Sequence, residues 1–344
     1  MSAPLVLEVD PSAPDRAAIT RAAEALRAGL LMAFPTETVY GLGADALDPE
    51  AVGRIFVAKG RPADNPLIVH LPSLAAAEAL VGPLPAVGKA LAARFWPGPL
   101  SLVVPHQGNL PAAVTGGLST VALRVPAHPV ALALLEAVGV PVAAPSANRS
   151  GSPSPTTAQH VLTDLAEHVA GVLDGGPCKL GVESTVLDVT GPTPVLLRPG
   201  GLGIEELEAV TGGIVLPGPG AEGESLRARS PGTRYRHYAP RARVVLAAPT
   251  DVAALAQRWK GQGQRVGTLS PEPASPLGSG APHWSAGPGA EGYARVLYAA
   301  LRALDEAGCT LIVAATLPET GLGRAVMDRL RRAADAGAVE GEGR

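Results

Sequence analysis

Cysteine is scarce, with Cys178 and Cys309 the only two in 344 residues. That excludes a dense disulfide scaffold and a four-cysteine metal site, and it fits a reducing compartment. Aromatics make up 3%, so a core has to be built mainly from Ala, Val and Leu. Charge is low at 17% and neither sign dominates, since 28 Lys and Arg against 31 Asp and Glu leave −3 with His neutral. Such a balance excludes a uniformly basic coat for nucleic acid but permits a local basic cleft. No apolar run reaches the roughly 18 residues of a membrane span. The start, MSAPLVLEVDPSAP, has no basic segment followed by an apolar one, and a cytoplasmic protein is the expectation. A GxxxxGK phosphate loop, a GxSxG nucleophile elbow and an HExxH zinc pair are also missing.

What is present reads as α/β. At about 150 residues per domain the length suggests two domains. A helix is expected from an Asp15 cap to Gly29, with Ile19, Ala22, Ala23, Leu26 and Leu30 as its apolar stripe. LLMAF comes next as a buried strand stopped by Pro35, then a helix over Pro49–Lys59 and a strand in PLIVH. LSLVV, TVALRV, VPVAA, VLDGG, STVLDV and TPVLL continue the strand signal between Ala-rich helices, which favours a mixed twisted sheet. The seam is Pro217 to Pro240, rich in Gly and Pro and then cationic and aromatic in TRYRHYAP. Beyond it RVVLAA, a helix at Val252–Trp259, RVGTLS, a loop between Leu269 and Gly289, a helix at Tyr293–Ala307, TLIVAA and a helix at Leu322–Ala336 predict a smaller parallel-sheet domain. The expected divisions are 12–215, a linker over 216–240, and 241–340.

Polar residues cluster at the strand ends. TETVYGLG, from Thr36 to Gly43, packs hydroxyls, a carboxylate and glycines into one turn. In KGRPADNPLIVH, Lys59 and Arg61 could meet phosphate or carboxylate oxygens, with Asn65 and His70 bracketing the next strand. The same residues also read as helix C-terminal cations and a turn-forming Asn. Thr120 and Arg124 share one strand face opposite Val121, Leu123 and Val125, which suggests a lined cavity. PSANRSGSPSPTT offers Ser146, Asn148, Ser150, Ser152 and Ser154, either as ligand groups or as helix caps. GVESTVLDV places Ser184 and Thr185 at a strand mouth, and LLRPG adds Arg198. Positive charge and hydroxyls without an obvious nucleophile suit holding phosphates and positioning two reactants more than covalent catalysis.

KGRPADNPLIVH together with PSANRSG resembles the Lys-x-Arg and Ser-x-Asn signatures of the Sua5/YrdC family. GVESTVLDV and LLRPG are similar to two further segments of that domain, so the resemblance spans about residues 12 to 212. TRYRHYAP and the α/β segment after it resemble the longer two-domain form. The resemblance implies a YrdC-like mixed sheet enclosing a large cavity, plus a smaller Rossmann-like domain. It also implies an L-threonylcarbamoyladenylate synthase, making threonylcarbamoyl-AMP and pyrophosphate from L-threonine, bicarbonate and ATP. Mg²⁺ would accompany ATP, with its ligands open. Separate threonylcarbamoyl-transfer proteins would carry the group to tRNA position 37, so that tRNA is met indirectly. Carried over by position, Thr36 or Thr38, His70, Arg124, Ala144 and Ser184 would surround threonine. Arg61, Asn65, Thr120, Ser146, Ser154 and Arg198 would surround ATP, with Lys59 and Asn148 completing the signatures. Lys59 and Arg61 would neutralise charge on the departing pyrophosphate. Tyr235 would close over the nucleotide as part of a lid. Two other readings stay open: a non-catalytic RNA-binding or translation-associated protein, supported by RYRH, and a carbamoyl-phosphate enzyme on the same domain.

Overall fold

The computed structural model describes residues 4–217, 229–230, 238–273, 275–278 and 280–338. The chain forms two compact units: Met1–Ser150 with Pro155–Lys179 and Glu183–Arg234, and Tyr235–Arg344 with Gly151–Ser154 and Leu180–Val182.

The first unit opens with β1 (Leu5–Glu8) and α1 (Arg16–Arg27). Asp15 caps α1 by accepting from the Ala17 amide at 2.9 Å, an arrangement worth about 1 kcal/mol. Ala18, Ile19, Ala22, Ala23 and Leu26 are buried as the spacing predicts. Leu30 is not part of that stripe. The helix ends at Arg27, Gly29 turns with φ 75°, and Leu30 is left exposed on the way into the sheet.

Next come β2 (Met32–Phe34), β3 (Gly41–Asp45) and α2 (Pro49–Lys59). α2 is capped by Asp48 and stopped by left-handed Gly60 (φ 60°), a conformation glycine adopts without steric cost. β4 (Ile68–His70), α3 (Leu74–Val81), α4 (Ala86–Phe95), β5 (Leu100–Pro105) and the single turn α5 (Ala112–Thr115) follow. β6 (Thr120–Arg124), α6 (Pro129–Val138), β7 (Val142–Ala143), α7 (Ala158–Leu165) and β8 (Gly171–Asp174) come next. β9 (Thr185–Asp188), β10 (Val195–Arg198) and α8 (Ile204–Thr211) complete the unit.

Ten strands form one sheet in the order β1-β8-β2-β3-β7-β4-β6-β5-β9-β10. It is mixed: β4 and β6 run parallel, as do β5 and β9, whereas β5 and β6 are antiparallel. Alternation along β2 divides the core. Met32 and Phe34 pack with residues of α1 and α6, while Leu31 and Ala33 join the cluster that contains Val52, Ile55 and Leu91.

The second unit has four parallel strands in the order β11-β14-β12-β13. They are β11 (Arg243–Ala247), β12 (Val266–Ser270), β13 (His283–Ser285) and β14 (Leu311–Ala315), with α9 (Val252–Gly261), α10 (Gly289–Glu306) and α11 (Leu322–Ala338). The stretch after Leu269, read as loop from sequence, therefore contains an edge strand. Its three residues are too few for a periodic signal. Gly287, Gly289 and Gly292 lead from β13 into α10, and a Cβ at Gly292 would lie 2.6 Å from the Ala286 carbonyl oxygen. That glycine spacing is also the spacing of dinucleotide-binding turns, but Glu291 stands in the first turn of α10 and opposes an anion there. Among the described residues no helix is long and apolar enough to cross a membrane.

Candidate active site

Period-two geometry on five neighbouring strands of the first unit, β4, β6, β5, β9 and β10, builds the site's floor. Ile68, Val103, Ala122, Val186 and Leu197 form a small apolar cluster. On β4, β6, β5 and β9 the residues two positions along are polar. His70 pairs in register with Arg124, and the Ser101 hydroxyl lies 2.8 Å from that of Ser184. Four buried polar side chains thus border an apolar patch on one sheet face.

The loops supply the rest. The Leu42 amide donates to the Pro145 carbonyl and the Ala147 amide to the Tyr40 carbonyl, so TETVYG and PSAN run side by side. A Cβ at Gly41 would meet Phe34 at 3.2 Å and Ala144 at 3.4 Å, which leaves little room for any other residue. Lys59 Nζ donates to the carbonyls of Ser146 and Asn148, both at 2.5 Å, and lies 3.4 Å from Asn148 Oδ1. The Ser146 hydroxyl donates to the same Oδ1 at 2.6 Å. The Lys-x-Arg and Ser-x-Asn segments are thereby tied together through one buried ammonium. Arg61 bends back onto its own loop, its Nη2 donating to the Pro66 carbonyl at 3.0 Å, with Asn65 fully buried beside it. Arg198 Nη2 donates to the Ser184 carbonyl at 2.9 Å and reaches its hydroxyl at 3.3 Å. That approach depends on Gly200, where a Cβ would fall 2.2 Å from the Ser184 carbonyl carbon.

The two threonines of the turn are not equivalent. Thr36 Oγ1 donates to the Val39 carbonyl at 2.6 Å and accepts from the amides of Thr38 and Val39 at 3.2 Å. Its single proton is spent, so in the 2.8 Å contact between the hydroxyls Thr38 donates and keeps its own acceptor capacity. Burial and the neighbouring Arg124 charge lower the His70 pKa to about 3, so the imidazole is neutral near pH 7. Its Nδ1 faces the Ile68 carbonyl at 3.3 Å, which assigns the proton to Nδ1 and leaves Nε2 as an acceptor. Arg124 Nη2 lies 2.7 Å from Glu37 Oε1 in an ion pair buried on both sides, and Nε donates to the Gly98 carbonyl at 3.3 Å.

Sequence reasoning assigned no role to Glu37, Ser101, His128, Cys178 or Asp188, all of them buried. Ser101 left a signal, as a polar residue at a period-two position in LSLVV. Burial pushes the Cys178 thiol up, so it stays protonated and is a poor nucleophile. Asp188, on the face of Ser184 and Val186 by strand parity, pairs with Arg229 Nη1 at 3.0 Å. Thr120 is partly exposed at the start of β6. Ser154 is buried within the 151–154 stretch that groups with the second unit, and Tyr235 lies outside the described residues. Tyr238, grouped by sequence with the 234–238 segment expected to fold over the first unit's site, is buried in the second unit, stacked on Tyr298 at 5.6 Å with the Arg329 guanidinium 4.9 Å from its ring centroid.

Among the described residues no group of three or more His, Cys, Asp and Glu side chains could hold a metal ion. Apart from Glu37 and Asp188, each paired with an arginine, the donor set of the site is cationic and hydroxylic, which fits a magnesium ion that would arrive on phosphate oxygens.

A family model described as telomere recombination, covering Sua5, YciO and YrdC proteins, matches residues 24–200. A second, described as the C-terminal domain of threonylcarbamoyl-AMP synthase, matches residues 202–335. The threonylcarbamoyl-AMP synthase of Pyrococcus abyssi is 49% identical over 91% of this chain and 92% of its own. That of Bacillus subtilis is 48% identical over 92% of both. The structure of Pyrococcus abyssi Sua5 complexed with L-threonine superposes with a TM-score of 0.90 at 46% identity, covering 97% of this chain and 98% of the other.

Proposed function

The chain belongs to the Sua5/YrdC family and carries the activity of its threonylcarbamoyl-AMP synthases, and we propose that this reaction runs on the sheet face bordered by His70, Arg124, Ser184 and Arg198. One observation supports that placement more than the others. Four buried polar side chains, two of them cations, converge on this face with the joined Lys59–Asn148 loops, and no activated nucleophile stands among them. A reaction between two bound substrates needs positioning and charge neutralisation, which is what this set supplies.

Arg124 takes the threonine carboxylate, whose planar oxygens match a guanidinium fork. Thr38, Ser184 and the acceptor Nε2 of His70 hold its polar groups, Ala144 shapes the wall, and Thr36 builds the turn that presents Thr38. Arg61, Asn65, Thr120, Ser146, Ser154 and Arg198 surround ATP. Lys59 acts with Asn148 by holding the Ser146 turn in place and by adding its charge. The amine of threonine attacks carbon dioxide formed from bicarbonate and loses a proton, giving a carbamate. A carbamate oxygen then attacks the α-phosphorus, the bond to the bridging oxygen of the β-phosphate breaks, and pyrophosphate leaves with both electrons of that bond. Magnesium, carried on the phosphates, would screen their charge. The adenylate then passes to transfer proteins that meet tRNA, which this chain contacts only indirectly.

The divisions at 215 and 241, with a lid over 216–240, belong to the same proposal. Support comes from two points along that stretch. Arg229 reaches Asp188 within the first unit, and Tyr238 is anchored in the second. Tyr235 stands between those anchors in the chain, which favours its closing over the nucleotide and excluding water from the labile carbamate.

Mass spectrometry after incubation of the chain with ATP, Mg²⁺, bicarbonate and L-threonine tests the reading. Threonylcarbamoyl-AMP and equimolar pyrophosphate are expected; neither appearing would overturn it.

A further inference from the structure

Glu37 is a buried carboxylate with no part in the threonine and ATP contacts proposed for this site. Its Oε1 lies 2.7 Å from Arg124 Nη2. Neither of those atoms makes an aligned hydrogen bond, and Oε2 is likewise buried without a hydrogen-bond partner. His128, whose pKa is lowered by burial against an opposing pull from the Glu37 charge, also has a buried ring nitrogen, Nδ1, without a hydrogen bond. Buried charged atoms left without hydrogen bonds are costly, and a buried ion pair is seldom kept for stability alone. Three such atoms on the Glu37–Arg124 pair, beside a substrate-binding face, call for a ligand to satisfy them.

The chemistry of that ligand is set by the charges. An α-amino acid carries an ammonium one carbon away from its carboxylate. When the carboxylate is seated on Arg124, the ammonium is held within reach of a carboxylate already touching that arginine. We propose that Glu37 is the ammonium-recognition residue of the amino-acid subsite, a role that rests on the assignment of Arg124 to threonine. The bound zwitterion and the Arg124–Glu37 pair then form a ring of alternating charges. Glu37 Oε2 and Arg124 Nη2 gain the partners that the free protein does not give them. The turn that places Glu37 is held by Thr36, whose hydroxyl bonds three backbone groups of residues 38 and 39. The carboxylate is therefore presented on a fixed support.

Discrimination between L-threonine and 2,3-dihydroxybutanoate of the same configuration, in which a hydroxyl replaces the ammonium, tests the role. Calorimetric titration of both into the full chain should show threonine bound at least ~10-fold more tightly, as expected for a charge-assisted contact. Glu37→Gln keeps the shape but not the charge, and it should bring the two ligands to within about 3-fold of each other while ATP affinity holds. Equal loss for both ligands in the variant would mean that Glu37 acts only on Arg124, and would overturn the role. A wild-type chain that binds the two ligands equally would overturn it as well. If Glu37→Gln no longer binds ATP and so has lost its fold, Glu37→Asp replaces it. The shorter carboxylate should reduce the preference, and an unchanged preference counts against the role. A chain that binds no threonine and makes no adenylate defeats the functional reading itself, a result separate from threonine binding without amine preference.

Discussion

Arg124 reaches Glu37 with one nitrogen and the Gly98 carbonyl with another, so a substrate carboxylate would share an engaged guanidinium rather than meet an idle one. Its geometry then matters as much as its charge. Arg124→Lys should weaken threonine binding by ~10-fold or more and leave ATP binding nearly unchanged. Calorimetry of both ligands checks this, and equal losses would remove Arg124 from the amino-acid subsite. Lys59 poses the opposite case. Its ammonium already lies near three oxygens of the Ser146–Asn148 turn, so Lys59→Ala should act by loosening that turn as well as by removing charge. Adenylate formation at saturating threonine should fall at least ~10-fold, about 1.4 kcal/mol of barrier; a near-wild-type rate would take Lys59 out of the account. His70 is held neutral by burial, with a folded pKa of about 3 against 6.5 for the free side chain. Between those values the unfolded chain binds the extra proton, so the contribution of His70 to stability is complete above about pH 6.5 and is lost as pH falls toward 3. Denaturant midpoints of wild type and His70→Gln, followed from pH 7.5 to 4.5, should converge on the acidic side.

Strand faces and glycine contacts govern the site at the level of elements. β6 and β4 place Arg124 beside His70 only because the two strands pair in parallel with that register, and LLRPG meets GVEST only because Gly200 lets two backbones touch. Gly200→Ala puts a methyl against backbone atoms that cannot rotate away, 2.2 and 2.3 Å from Ser184 and Thr185. It should cost about 1–3 kcal/mol or more and lower the melting temperature together with activity. An unshifted melting curve would show that the two segments are not packed as described. Much at this scale was legible in advance. Capped and amphipathic α1, the Pro49–Lys59 helix and the period-two polar pair Thr120 and Arg124 were all readable from spacing. Leu30 and β13 were not. Leu30 fits the stripe by spacing alone, yet the helix ends before it; β13 is three residues long and gains its strand character from its neighbour β12.

For the whole molecule, the lid proposed over residues 216–240 is open to test. Hydrogen–deuterium exchange across residues 229–240 should slow when ATP and threonine are added together, and Tyr238→Ala, which removes the ring between Tyr298 and Arg329, should abolish that slowing. Unchanged exchange in wild type would sink the lid. The sequence by itself determined the α/β class, the parallel second unit and the hydroxyl- and cation-rich segments, because those depend on local periodicity, turn chemistry and residue type. The tertiary structure alone decided what each polar atom touches. Glu37, Ser101 and Asp188 look ordinary in the chain; Ser101 and Asp188 matter only because β5 and β9 lie side by side, and Glu37 only because its turn brings it against Arg124 of β6. Hydrogen-bond partners separated by 83 or 87 positions, as in Ser101–Ser184 and Lys59–Ser146, have no local signature, since the energy that selects them comes from burying both partners in the same core.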